Sequence, residues 1–278
     1  MQLGIFAKTF AGTDPAKVLQ AAQTAGYETV QFNLACAGLP SLPDEIEDMA
    51  ALSARIDAAR LASRVGIAAL SGTYNMAHPD PEVRARGRQA LGRVIDIAGA
   101  LRIPLVTLCT GSRHPSDQWA HHTDNATPEA WADMAEEMAA ALDRADTAGI
   151  VLGIEPEQAN VVRSAEEACR LIAEMGSNRL RIVLDPANLF EKADANEARE
   201  IVARAVDIAA GFTAMAHAKD RHANGRFAVP GRGVVDFGDF IARLRASGFN
   251  DAVVTHGLEP EEAPHVARFL APLLAVPT

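Results

Sequence analysis

Four places in the sequence set a carboxylate or an imidazole directly after a short apolar run. Gly153-Ile154-Glu155-Pro156-Glu157 closes one run, and Val183-Leu184-Asp185-Pro186-Ala187-Asn188 closes the next. Ala216-His217-Ala218-Lys219-Asp220 follows, and then Thr255-His256-Gly257-Leu258-Glu259. One acid after a strand carries little weight, because caps and turns use Asp and Glu freely. Four such endings in succession are a constellation. Two carboxylates with imidazoles form an oxygen-and-nitrogen donor set that suits Mn²⁺, Mg²⁺, Co²⁺ or Zn²⁺ rather than a thiolate-seeking ion. An ion held there would polarise a carbonyl and its neighbouring hydroxyl, and would stabilise the enediolate left when the adjacent C–H loses its proton. Removal of that proton needs a carboxylate or imidazole base within hydrogen-bond reach.

The elements that must position these residues are short apolar runs alternating with helical patterns. The runs are Leu3–Phe6, Thr29–Phe32, Ile67–Leu70, Leu105–Cys109, Val151–Ile154, Leu180–Leu184, Ala214–Ala216 and Ala252–Thr255. Each suits a strand buried on both faces, and eight is the number that a closed parallel barrel requires. Helix signals lie between them. Thr13-Asp14-Pro15 offers a cap and an early proline, with Gly26 beyond the far end. Ser164 and Glu167 have capping-box spacing before Gly176, Thr127-Pro128-Glu129 opens a helix ending near Gly149, and Asp236 opens another that Gly248 closes. No linker divides the chain. The expected fold is one (β/α)8 TIM barrel over residues 1–278, in which residues just past the strand ends ring a single mouth. A doubly wound open sheet is the rival. It is weakened by Phe6-Ala7-Lys8-Thr9-Phe10 after the first run, where a glycine-rich phosphate loop would stand. The long polar loop from Gly111 to Asn125, with Arg113, His114, Trp119, His121 and His122, reads as a lid or substrate loop.

Composition narrows the partners. A chain with a formal net charge of -10 repels phosphate backbones and anionic lipid, so nucleic acid and membrane are not expected. Cys36, Cys109 and Cys169 are odd in number and share no CxxC spacing, which argues for free thiols in a reducing compartment. No charged n-region and apolar run opens the sequence, and no segment has the ~18 unbroken apolar residues of a membrane span. A cytoplasmic location is expected.

Taken in order, Asn75-Met76-Ala77-His78-Pro79-Asp80, Gly153-Ile154-Glu155-Pro156-Glu157, Leu184-Asp185-Pro186-Ala187-Asn188-Leu189, His217-Ala218-Lys219-Asp220 and Pro230-Gly231-Arg232-Gly233 before Val235-Asp236-Phe237 resemble the xylose-isomerase-like sugar isomerase/epimerase superfamily. The resemblance spans essentially the whole chain. It implies that Glu155 is both a metal ligand and an acid/base group, that Asp185 and His217 are ligands, and that one divalent ion is bound, with Mn²⁺ the leading choice. The family's fourth ligand, a glutamate ending the eighth strand that also serves as the second acid/base group, aligns with His256. Glu259 lies three residues further on. His256 is therefore expected as ligand and catalytic group, with Glu259 as a nearby catalytic carboxylate. Two histidines and two carboxylates leave a divalent site near neutral, and the two-glutamate mechanism is altered. Ketose epimerases of the family tend to carry a histidine where this chain has Asn188, which can donate a hydrogen bond but cannot shuttle a proton near neutral pH.

The same resemblance puts His78 in the substrate pocket. Glu157, Asn188, Lys219 and Arg226 are further candidates for substrate contact. Asn160 could orient ligands from behind, while Arg232, Trp119 and Trp131 could close the pocket or serve only the surface and packing. The expected activity is a metal-dependent sugar or keto-sugar isomerase or epimerase, in a homo-oligomer as is common in the family. The alternative is a lyase of the same superfamily, either an inosose-type dehydratase or an enzyme eliminating the aglycone of a 3-keto-glycoside. Phosphodiester hydrolysis, as in endonuclease IV, would need more histidine ligands from earlier strands, where this chain offers Asn33 and Thr110-Gly111. A non-catalytic binding barrel is the remaining class.

Overall fold

The computed structural model describes residues 1–275. Eight parallel strands close into a barrel in the order β1-β10-β7-β6-β5-β4-β3-β2. They are β1 (Gln2–Phe6), β2 (Thr29–Phe32), β3 (Gly66–Ser71), β4 (Leu105–Leu108), β5 (Val151–Ile154), β6 (Leu180–Leu184), β7 (Thr213–Ala218) and β10 (Ala252–Thr255). The remaining pair, β8 (Asp220–Arg221) and β9 (Phe227–Ala228), forms an antiparallel hairpin outside the barrel, directly after β7. Eight helices wrap the strands: α1 (Pro15–Thr24), α2 (Met49–Ser63), α3 (Pro81–Leu101), α4 (Pro128–Ala148), α5 (Ala165–Met175), α6 (Ala195–Ile208), α7 (Phe237–Ala246) and α8 (Ala263–Leu274). This is the (β/α)8 barrel read from the sequence. Among the described residues, no helix is long and apolar enough to cross a membrane.

The expected caps are in place. Asp14 accepts from the Ala16 N–H, Thr127 from Ala130, Ser164 from Glu167 and Asp236 from Asp239. Gly149 and Gly176 end α4 and α5 in the left-handed conformation, which a side chain would strain.

The barrel interior explains where the polar residues emerge. Side chains two apart on a strand share a face. Inside the barrel, Leu105, Val183, Met215 and Val254 pack together as an apolar plug, and Gly153 belongs to the same layer: a Cβ there would meet Val183 at 2.8 Å and Leu105 at 3.0 Å. Two residues further along those five strands stand Thr107, Asp185, His217, His256 and Glu155. The plug thus supports a polar layer at the C-terminal rim.

Candidate metal centre

Glu155, Asp185 and His217 leave three neighbouring strands, and one ligand atom from each lies within 4.8 Å of the others. His217 Nδ1 is 3.3 Å from Glu155 Oε1 and 3.6 Å from Asp185 Oδ2. Asp185 and His217 are buried and Glu155 is half-buried, so the group sits at the floor of a cavity rather than on the surface. The cavity measures about 910 Å³. Two carboxylates and an imidazole, aimed at one point beneath an open space, fit a divalent cation by donor type and spacing.

Surrounding residues fix the ligands. Gln31, buried in β2, turns its amide nitrogen to Ser71 Oγ and Thr107 Oγ1, both at 3.0 Å, and its Oε1 lies 2.7 Å from His217 Nε2. With Nε2–H donating to Gln31, Nδ1 is the imidazole atom left facing the carboxylates, as a ligand requires. Asn188 Nδ2 donates to Glu155 Oε1 at 2.7 Å, and Lys219 Nζ donates to Asn188 Oδ1 at 2.9 Å. The Cys109 thiol sits 3.9 Å from Glu155 Oε2.

Charge in the cavity floor follows from burial and neighbours. Burial opposes ionisation of Asp185, but Lys219 and His217 outweigh it and hold the carboxyl down at about 2. Burial likewise opposes a charged His217, yet Glu155 and Asp185 push it up to about 9. His256 goes the other way: burial, with His217 and Lys219 beside it, brings it down to about 3, so it is neutral. Burial raises Glu157 to about 7 against the pull of Lys219.

The structure brings most of the sequence candidates to one cavity and leaves others outside. Glu155, Glu157, Asn188, His217, Lys219, Arg226 and His256 line it, with Asp185 just beneath. His256 stacks between Phe6, at 4.7 Å between ring centroids, and His217, at 5.6 Å. Its Nδ1 is buried and has no hydrogen-bond partner, and the ring stands outside the tight three-residue cluster. Glu259 is exposed and absent from the lining. Its N–H donates to Glu262 at the start of α8. His78 is also outside the cavity: its Nε2 lies 3.0 Å from the Pro115 carbonyl and its Nδ1 accepts from the Asp80 N–H, so backbone occupies both ring nitrogens. The positions of Glu259 and His78 therefore do not support the contacts expected of them.

The loop after β4 does reach the cavity, through Gln118 and Trp119. Buried Asn160 anchors it, accepting from Gly111 N–H at 2.8 Å and donating to the Gln118 carbonyl at 3.1 Å. It holds the loop rather than a ligand. Trp131 packs away from the site, donating to Glu174 beneath the Arg170 guanidinium, and Arg232 pairs with Glu262 at 3.8 Å. Asp220, fully buried, accepts from the N–H groups of Arg221, Gly231, Gly233 and Val235 and so shapes the loop beyond the hairpin. Gln31 escaped the sequence reading. Its signal is an amide within a short strand that is buried throughout.

A closed parallel barrel with polar residues at its C-terminal rim defines an α/β-barrel protein of the kind that hosts enzymes. The chain belongs to the xylose isomerase-like TIM barrel family, whose pattern matches residues 19–273. Solved structures of similar shape include an L-ribulose 3-epimerase (20% identity, TM-score 0.76), covering 98% of this chain and 94% of that one. A 3-keto-D-glucoside 4-epimerase from E. coli (16% identity, TM-score 0.76) covers 98% of each chain. A D-psicose 3-epimerase solved in the presence of D-fructose (19% identity, TM-score 0.75) covers 99% of each. At these identities the likeness is one of fold. No curated protein matches the sequence.

Proposed function

We propose that this protein is a divalent-metal-dependent isomerase or epimerase of a sugar or keto-sugar. The observation that carries the proposal is the convergence of Glu155, Asp185 and His217 within 4.8 Å at the floor of the large rim cavity. The resemblance in fold to three sugar epimerases supports it. Glu155, Asp185 and His217 Nδ1 would hold the ion, Mn²⁺ first among Mn²⁺, Mg²⁺, Co²⁺ and Zn²⁺, with His256 as fourth ligand from the adjoining strand. When bound, such an ion draws electron density from a carbonyl and its neighbouring hydroxyl and so acidifies the C–H between them.

The remaining work belongs to the protein. Glu155 takes the proton from that carbon, while Asn188 keeps its carboxylate oriented and Lys219 keeps Asn188 oriented. Lys219 and Glu157, both facing the cavity, hold substrate hydroxyls. Arg226 closes the outer edge. Phe6 and Trp119 exclude water from the reacting carbon.

A lyase is the second reading, and the position of His256 favours it. Epimerisation delivers a proton to the opposite face of the same carbon. The family's glutamate for that task is here a neutral imidazole, with Glu259 exposed outside the cavity. Elimination needs only the first abstraction and a leaving group, either water or the aglycone of a 3-keto-glycoside. The separating test is proton NMR of the Mn²⁺-loaded protein with ketoses and 3-keto-glycosides in D₂O. Deuterium entering next to the carbonyl with a new epimer or isomer, and lost in Glu155→Gln, supports the first reading. Release of an unsaturated product supports the second. Neither event with metal bound removes both.

A further inference from the structure

The cations of this acidic chain are unevenly placed. Its only four lysines are Lys8, Lys17, Lys192 and Lys219, and three of them line the rim cavity. Arg221 and Arg226 line it too. Some surface arginines elsewhere are matched to acids, as Arg144 is to Asp96, Arg170 to Glu174 and Arg204 to Glu166. The side chains of Lys192 and Arg226 have no ion pair or hydrogen bond among the described residues. Only the backbone of Arg226 is engaged, with Asn224 and His222. The carboxylates facing the same space are Glu155, which belongs to the metal cluster, Glu157 beside Lys219, and exposed Glu191.

Lys192 lies against the turn that carries Arg226 for a local reason. Gly225 has a φ of +93°, and a Cβ on it would meet the Glu191 carbonyl at 2.8 Å and Lys192 Cγ at 3.2 Å. A glycine there lets the Lys192 stem lie against the β8–β9 hairpin, next to Arg226. Two cations without ion pairs, from different loops, thus line one edge of the cavity, where Lys219 and Arg221 also lie over the Phe227 ring. Aligned cations in a cleft focus the field outward and raise the local concentration of anions, and an arginine with a lysine matches a carboxylate or phosphate oxygen set.

We infer that the substrate carries an anionic group, a carboxylate or a phosphate, remote from its carbonyl, and that Lys192 and Arg226 bind it at the cavity mouth. The inference rests on the sugar-binding reading above and names the class of sugar. The Mn²⁺-loaded full-length protein is titrated calorimetrically with matched pairs: D-ribulose against D-ribulose 5-phosphate, and D-tagatose against D-tagaturonate. At least one anionic member binds roughly tenfold or more tightly than its neutral parent. The pair showing the gap tells phosphate from carboxylate. The gap narrows several-fold in Lys192→Ala, closes in Lys192→Glu and in Lys192→Ala/Arg226→Ala, and shrinks as salt rises. Lys17→Ala, on the lysine outside the cavity, leaves it unchanged. Equal affinity within both pairs, or a gap that survives Lys192→Glu, overturns the inference while leaving the ketose reading intact. Failure of every ketose to bind, charged or neutral, overturns that reading and the inference together.

Discussion

The Asn188 amide donates a 2.7 Å hydrogen bond to Glu155 Oε1, joining the end of β6 to the end of β5 across the floor of the cavity. The same amide accepts from Lys219 on the far side, so one short side chain aligns the proposed base and ties it to the neighbouring cation. Asn188→Ala should lower kcat by about 10–100-fold, the usual cost of losing a group that orients a metal-site ligand. Asn188→Asp should cost at least as much, because it replaces the donor with a carboxylate facing Glu155. Steady-state kinetics with the best ketose, at saturating Mn²⁺, checks both.

Gln31 makes a second such contact, to His217. Gln31→Leu keeps most of the volume but removes the acceptor for Nε2–H and the amide donor to Ser71 and Thr107. Metal affinity should fall by about 10–100-fold while the fold persists. Competition for Mn²⁺ against a chelating dye measures the first, and circular dichroism the second.

Proton linkage at His217 gives a pH signature. Without metal its value is raised to about 9, so at pH 7 the ring is protonated, and binding an ion must release that proton. Affinity for Mn²⁺ should therefore rise with pH up to about 9, with about one proton released per ion near neutrality. The metal-free protein shows the converse. A folded-state value raised above the unfolded one stabilises fully below about 6.5, and that contribution is lost as pH climbs toward 9. Calorimetry in buffers of different ionisation enthalpy counts the proton, and melting curves at pH 6 and pH 9 show the loss. Binding without proton release would place another group at the ion.

Asp220 should matter for stability rather than chemistry. Asp220→Ala strips the acceptor from the N–H groups of Gly231, Gly233 and Val235 in a buried setting. The expected loss is about 3 kcal/mol or more, or roughly 6–12 °C in melting temperature for a chain of this size. Gly233→Ala should act at the same place, since a Cβ would fall 2.2 Å from Asp220 Oδ1. Differential scanning calorimetry reads both.

Much of the barrel was legible because its strands are largely buried and read as short, mostly apolar runs. Thr29–Phe32, Val151–Ile154, Leu180–Leu184 and Ala252–Thr255 match observed strands end for end. The β8–β9 hairpin escaped, since two-residue strands carry no periodicity. The clustering of Glu155, Asp185 and His217 was legible because chemistry at strand ends shows in sequence. The His78 motif does not record that the cap of α3 takes one ring nitrogen and the Pro115 carbonyl, from a distant loop, the other. The partners of Gln31 and the packing of Lys192 against the Gly225 turn depend on contacts between distant segments, which a linear reading does not contain.

Whether Glu155, Asp185 and His217 hold one divalent ion is read from metal stoichiometry. Protein purified without chelator, then incubated with Mn²⁺ and desalted, is measured by inductively coupled plasma mass spectrometry beside Glu155→Gln, His217→Ala and His256→Ala. The wild type should hold about one ion per chain, the first two variants should lose it, and the third should retain it more weakly. A wild-type protein that holds no ion after exposure to excess Mn²⁺, or a His217→Ala variant that holds it as tightly as the wild type, would mean that these three residues do not form a metal centre.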